Sequence, residues 1–533
     1  MPPSREQAGS PRVPSNDGQL INNLPAELFV QVLEDVYWLR RRSEIDWEID
    51  WDTNWTVPYQ LVCRRWRDVI CSTPQFWQRI DIRSNPRWLD LCLTRCDGAP
   101  VSVKVWNTTS PDGIFGTLCH NAASIRAFRL HCDFPYLSYL SGLPSLLATP
   151  MTILETLSVI VPFVECELDV PLTHHLVPRL TSLELWNCTA PRDLALYASL
   201  RSLTFVGTTW AISYSEFLDV LSKCPSLEHL SLDEDVLCPF AEELADHPTG
   251  TQHRTTPLVL PRLSSMTVHG LRGLLVHFLA TIHVPQATTI ELKNCFDEDE
   301  PGPLVSRLLV PNPQLRIPFL SSLRTVSLSC WDGNPFQLSL RGGPDGNALF
   351  SLDYGTIHDI DWPGNTYLER NLVAIIDTFP VAAIDTLEVE GCLDLVAVET
   401  WHRVFQTFSS LRTLRVKGRG TLDFLWSGLA CATTSSLERG GAVCCPYLSE
   451  IEIDDRPWIS ASRFKFTAST GLFDIVRGTL SARENAGATR LKKLQLYLEY
   501  MGELWTRTSE RRATWVEDVK ALVEELDYRD WQA

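Results

Sequence analysis

Sixteen cysteines, twelve histidines and the acidic run Asp297 to Glu300 are where chemistry would be sought first in these 533 residues. Zinc sites are announced by short-spaced pairs of thiols or imidazoles. This chain has no CxxC pair. Cys92 and Cys96 are helix-spaced in an apolar segment and read as two small buried hydrophobes. Nucleophilic or phosphate chemistry would show as GxSxG, Walker A, GxGxxG or HExxH, and none occurs. His174 and His175, in PLTHHLVPRL, read as loop residues. Asp297 to Glu300 lacks the ligand spacing and the glycine of a calcium loop. The expectation is a chain with no catalytic residue, no metal site and no cofactor, and therefore not an enzyme.

What the sequence does repeat is a nine-residue pattern, apolar-x-x-apolar-x-apolar-x-x-x. Twelve copies begin at Ile125, Leu154, Leu180, Leu200, Leu227, Leu263, Ala287, Leu323, Ile384, Leu411, Leu448 and Leu491. The central apolar-x-apolar predicts a short strand with one buried face, because successive strand side chains point to opposite sides. Between copies lie stretches apolar at helical spacing, such as residues 215–225, 271–285, 366–380, 400–408 and 471–485. A unit of this kind cannot cover its own apolar face and must stack on its neighbours, which predicts an α/β solenoid. Weaker versions of the unit start at Arg83, where PRWLDLCLTRC is helical in spacing and Val101, Val103 and Val105 alternate.

Three linkers, residues 234–260, 296–318 and 331–364, exceed the simple unit, and the last predicts a hairpin with Leu338 and Leu340 paired across GGPDG to Leu349 and Leu352. At the C-terminus, Trp515, Val519, Leu522, Val523 and Leu526 fall on one face of an expected capping helix over 510–533. On the strands, the side chains opposite the apolar ones would line the inner wall. Glu184, Trp186, Asp233, Glu291, Glu388, Glu390, Glu452 and Tyr497 occupy such positions, and aromatics among acids suit a protein-binding face.

Net charge is -18, which disfavours nucleic acid or an anionic membrane as main partner. No apolar run is long enough to span a bilayer, and residues 1–19 lack the apolar core of a signal peptide, so a cytoplasmic or nuclear protein is expected. That tail, rich in Pro, Ser and Gly, is expected to be disordered. Order should begin near Leu20, with a helix whose apolar residues are Leu24, Leu28, Val32 and Val36, flanked by Phe29 and Leu33. A second helix is predicted over 59–70 with Val62, Trp66 and Val69 on one side, followed by the bulky Phe76 and Trp77 and the alternating Ile80 and Ile82.

These three blocks, LPAEL, LVCRRWRDVI and FWQRIDI, together resemble the F-box over residues 20–82, and the repeats resemble irregular leucine-rich repeats. The combination is similar to the expanded F-box families of mushroom-forming fungi. The resemblance implies that Leu24, Pro25, Leu28, Val62, Cys63 and Trp66 serve docking on a Skp-family adaptor, which holds the protein on a cullin scaffold. It further implies a substrate-recognition subunit of an SCF-type ubiquitin ligase, with the repeats, residues 83–509, holding an unknown protein target. The implied fold is a short helical F-box, then a leucine-rich-repeat solenoid with parallel strands on the concave side and helices on the convex side. The chain departs from the family in an insertion at about 37–60, where Trp47, Trp51 and Trp55 recur among acids. That insertion keeps open a non-catalytic interaction scaffold whose F-box is vestigial or non-degradative.

Overall fold

In the computed structural model, the described residues are 24–43, 56–83, 85–106, 112–132, 140–161, 168–246, 257–295, 313–330, 336–343, 346–354, 367–454, 471–500 and 509–532. The tail 1–19, the tryptophans 47, 51 and 55 and the acidic run 297–300 lie outside them. The protein is mixed α/β with a largely parallel sheet. It divides into two compact units, Met1–Ser199 and Leu200–Ala533, a boundary that falls inside the expected repeat region 83–509.

The first unit opens with three helices: α1 (Ala26–Ser43), α2 (Thr56–Gln60) and α3 (Arg64–Ser72). Pro25 stands just outside α1, its carbonyl taking the first intrahelical bond from Phe29 N, and Glu27 occupies the first turn, where the helix dipole favours an acid. A 3-10 turn, Pro74–Trp77, leads into β1 (Arg79–Ile82). There follow α4 (Pro86–Cys96), β2 (Val101–Trp106), α5 (Asp112–His120), β3 (Ile125–His131), α6 (Leu143–Leu147), β4 (Thr156–Ile160) and β5 (Ser182–Trp186). Strands β1 to β5 pair in sequence order, all parallel. Helix α4 begins where the Asn85 side chain accepts from Arg87 N at 3.1 Å, with Pro86 in the first turn, and it ends at Asp97 with φ 50°. It buries Leu89 together with Cys92 and Cys96. Burial pushes both thiols up, Cys92 to about 12 and Cys96 to about 11, as expected of small hydrophobes.

The second unit contains β6 (Ser202–Val206), α7 (Tyr214–Ser222), β7 (His229–Leu232), α8 (Glu234–Asp246), β8 (Ser265–Leu271), α9 (Arg272–Thr281) and β9 (Thr289–Cys295). Next come β10 (Thr325–Cys330), β11 (Phe336–Gly342), β12 (Ala348–Tyr354), α10 (Tyr367–Thr378), β13 (Thr386–Cys392), α11 (Val398–Thr407) and β14 (Thr413–Arg419). The last elements are α12 (Asp423–Glu438), β15 (Glu450–Asp454), α13 (Leu472–Asn485), β16 (Leu491–Tyr500), α14 (Ser509–Lys520) and β17 (Val523–Gln532). The capping box of Ser213 and Glu216 starts α7.

Every one of the twelve copies supplies a strand, and its three apolar positions are buried in each case, as in Leu180, Leu183 and Leu185 or Leu411, Leu414 and Val416. Each such side chain contributes roughly 1.5 to 3 kcal/mol before entropy is charged. The linkers read as helical become α7, α9, α10, α11 and α13. Among the described residues no helix is long and apolar enough to cross a membrane.

Four local expectations are corrected. The helix expected over 59–70 is broken: α2 stops at Gln60, and Cys63, with extended φ and ψ, precedes α3. On α1 the buried stripe is Phe29 and Leu33, while Leu28 and Val32 stay exposed. The hairpin forms, but Leu340 pairs with Phe350 rather than Leu349, while Leu338 pairs with Leu352. It also belongs to the main sheet, because β12 lies parallel beside β9 and β10 lies parallel beside β13, with β11 antiparallel between β10 and β12. The space between copies seven and eight is therefore filled by the hairpin's own strands.

The fourth correction concerns the C-terminus, where the helix ends at Lys520 and β17 runs parallel to β16. Trp515 and Val519 are buried from the helix, and Val523 from the strand. The pairing of a whole ten-residue edge outweighs helical propensity here, since β16 would otherwise leave its backbone groups unpaired.

Candidate protein-docking surfaces

The three N-terminal blocks, distant in sequence, pack against one another. Arg65 on α3 donates a hydrogen bond to the Leu24 carbonyl. The Phe29 ring sits 4.6 Å from Trp66, and Tyr59 stacks on Trp66 at 6.4 Å. The buried Trp77 indole donates to the Ile70 carbonyl at 2.8 Å, lies 5.6 Å from Trp88 on α4 and carries the Arg95 guanidinium 4.2 Å from its ring centre. Trp77 thus ties the helices to the first strand-helix unit. The core of this head is Phe29, Leu33, Ile70, Phe76 and Trp77.

What that packing leaves uncovered is apolar. Leu28 is 49 % exposed, Leu61 71 % and Val62 42 %, with Val32 close behind. Pro25 is exposed as well, and Leu24, Cys63 and Trp66 are half-buried. Several uncovered aliphatic side chains, Leu28 and Val32 on α1 and Leu61 and Val62 on the turn before α3, are unusual for a surface in contact only with water. Of the six residues singled out from the sequence, Leu28, Val62 and Pro25 face outward, while Trp66 has its main contacts inside the head.

The second candidate surface is the sheet face opposite the core. In the first unit the register aligns Asp81, Lys104, Arg129, Ser158 and Glu184 in one row, and Trp106, His131, Ile160 and Trp186 in the next. Glu184 accepts from Ser158 Oγ at 2.7 Å and from Trp186 Nε1 at 3.2 Å, which fixes the Trp186 ring. Trp106 lies 4.9 Å from the His131 ring and under Lys104 Nζ at 3.8 Å.

The second unit has a row of its own, running Glu291, Ser351, Ser339, Ser327, Glu388, Arg415, Glu452, Gln495 and Asp527. The hairpin inserts Ser339 and Ser351 beside Ser327 of β10, between the acids. Arg415 pairs with Glu388 at 2.6 Å and with Glu452 at 3.3 Å, so these two acids share one cation. Glu390 is half-buried opposite Lys417. Two expected surface residues are otherwise engaged. Asp233 takes a hydrogen bond from Gly207 N at 2.7 Å, and burial raises its carboxyl above the usual range. Tyr497 is buried, because β17 covers it: its hydroxyl donates to Asp527 at 2.8 Å and Arg529 lies over its ring.

Sequence reasoning passed over Cys444 and Cys445, although their adjacency was visible, and over Arg483, which reaches them from thirty-nine positions away. Among the described residues, no group of three or more His, Cys, Asp or Glu side chains is gathered to hold a metal ion. No family model matches this chain, and no curated protein matches it.

Proposed function

We propose that the protein is a substrate-recognition subunit of an SCF-type ubiquitin ligase: an N-terminal F-box that docks on a Skp-family adaptor, followed by a leucine-rich-repeat solenoid that holds a protein target. The observation that carries the reading is the helical head in which LPAEL, VCRRW and FW come together while Leu28 and Val62 remain uncovered. An adaptor supplies the apolar cover such residues lack. The repeats support the second half of the reading through their parallel strands and their row of Trp, Glu and Arg side chains. On this reading the chain performs no chemistry and works inside the cell. It raises the concentration of target lysines near a separate ubiquitin-carrying enzyme.

The test is a titration of the full chain against a Skp-family adaptor, beside a Leu28→Asp, Val62→Asp double variant. Both side chains are outside the core, so circular dichroism should be unchanged. Expected is a dissociation constant below about 1 μM, weakened roughly 100-fold or more in the variant. A folded wild type that does not bind would sink the reading and leave a repeat scaffold with a vestigial F-box.

A further inference from the structure

In the second unit the segment after α12 brings the adjacent Cys444 and Cys445 against α13. Arg483 of that helix is 3 % exposed. Its guanidinium donates to the carbonyl oxygens of Cys444 at 3.0 Å and Cys445 at 2.9 Å, and to the Cys444 sulfur at 3.5 Å. No carboxylate of a described residue stands among these partners. A guanidinium keeps its charge when buried, and a buried charge without a counter-ion is strongly unfavourable. The acidic group among these partners is the Cys444 thiol.

Further geometry agrees. The Thr433 hydroxyl lies 3.4 Å from the same sulfur. The adjacent Cys445 thiol donates to the carbonyls of Phe405 and Phe408 at 3.0 and 3.3 Å. Cys444 lines a cleft of about 560 Å³ together with Gln406, Thr407, Ser436 and Arg439. The neighbouring Cys445 thiol, Thr433 and Arg483 hold the Cys444 thiol down to about 6 against the opposing effect of burial. Burial acts the other way, pushing the Cys188 thiol up to about 12.

We propose that Cys444 is a thiolate nucleophile in the wall of this cleft and a modification site for small hydroperoxides. The residue is only 6 % exposed, which favours an uncharged oxidant of a few atoms over a bulky disulfide. In the step, the sulfur attacks one peroxide oxygen: an S–O bond forms, the O–O bond breaks, and two electrons pass from sulfur to the departing oxygen. That oxygen leaves as hydroxide or alkoxide and takes a proton from solvent, so the product is a sulfenic acid.

The test treats the folded full chain with hydrogen peroxide in the presence of dimedone and follows trapping at each cysteine peptide by mass spectrometry. The exposed Cys431 serves as the reference thiol. At pH 7 Cys444 should be trapped ~10-fold faster than Cys431 despite its lower exposure, because the thiolate is the reactive form. Its rate should decline as pH falls through about 6, where the thiolate takes up its proton. Arg483→Met should slow it ~10-fold. Because loss of a buried arginine can prevent folding, Thr433→Val is the second variant and should slow trapping by a smaller factor. Trapping of Cys431 at an equal or greater rate in the folded wild type, or trapping of Cys444 only after urea unfolding, overturns the proposal.

Discussion

At Gly391 and Gly418 the backbones of two neighbouring strands meet so closely that no side chain fits. They stand opposite each other in the β13–β14 register, with φ of 152° and 150°. A Cβ on Gly418 would lie 1.9 Å from the Gly391 oxygen, and one on Gly391 2.2 Å from the Cys330 oxygen. Both obstacles are backbone, so Gly418→Ala should lower stability by about 3 kcal/mol or more, read from urea unfolding. Gly478 is the control, exposed on α13 with nothing near its missing Cβ. There Gly478→Ala should raise stability by about 0.5–1 kcal/mol, from helix propensity alone. The two glycines look alike in the sequence. Only the approach of the neighbouring strand separates them.

The elements differ in how openly they were written. GGPDG between alternating leucines announces a hairpin, and a hairpin forms. Helix α12 was not anticipated, since Gly428 and the run from Thr433 to Ser436 argue against it by propensity. Packing overrides that: a Cβ on Gly428 would meet Trp401 Cβ at 2.4 Å, so the small residue lets α12 lie close on α11. The C-terminal strand β17 was misread because EELDYRDW carries helix-compatible apolar spacing, and its pairing with β16 depends on an edge that no local window contains. Truncation after Lys520 should therefore expose Tyr497 and the β16 edge. The expected result is a thermal midpoint lowered by several degrees, with aggregation on heating, seen by calorimetry and light scattering.

For the molecule as a whole, charge is the property that sequence and structure divide between them. The net charge of -18 and the isoelectric point near 5.2 follow from counting residues. Solubility should pass through a minimum near pH 5.2, where mutual repulsion vanishes, and turbidity across pH 4 to 8 would show whether it does. Where the acids go is another matter. Glu388 and Glu452 share Arg415, Glu184 holds Trp186, and Asp233 binds the backbone at Gly207. The acids of that face are thus tied to partners within each unit, and substitution of one acid there changes the placement of its partner too.

Polarity, buried faces and count of the repeated strands were determined by the sequence itself, because period-two alternation is set by residues within a few positions of each other. The same holds for most connecting helices. The tertiary structure alone decided that the hairpin strands fill the gap between β9 and β10, that Leu28 rather than Phe29 faces outward, and that Arg483 meets Cys444. Each of those outcomes turns on which distant surface covers a side chain. That competition is settled by close packing, and close packing leaves no trace in a local window of sequence.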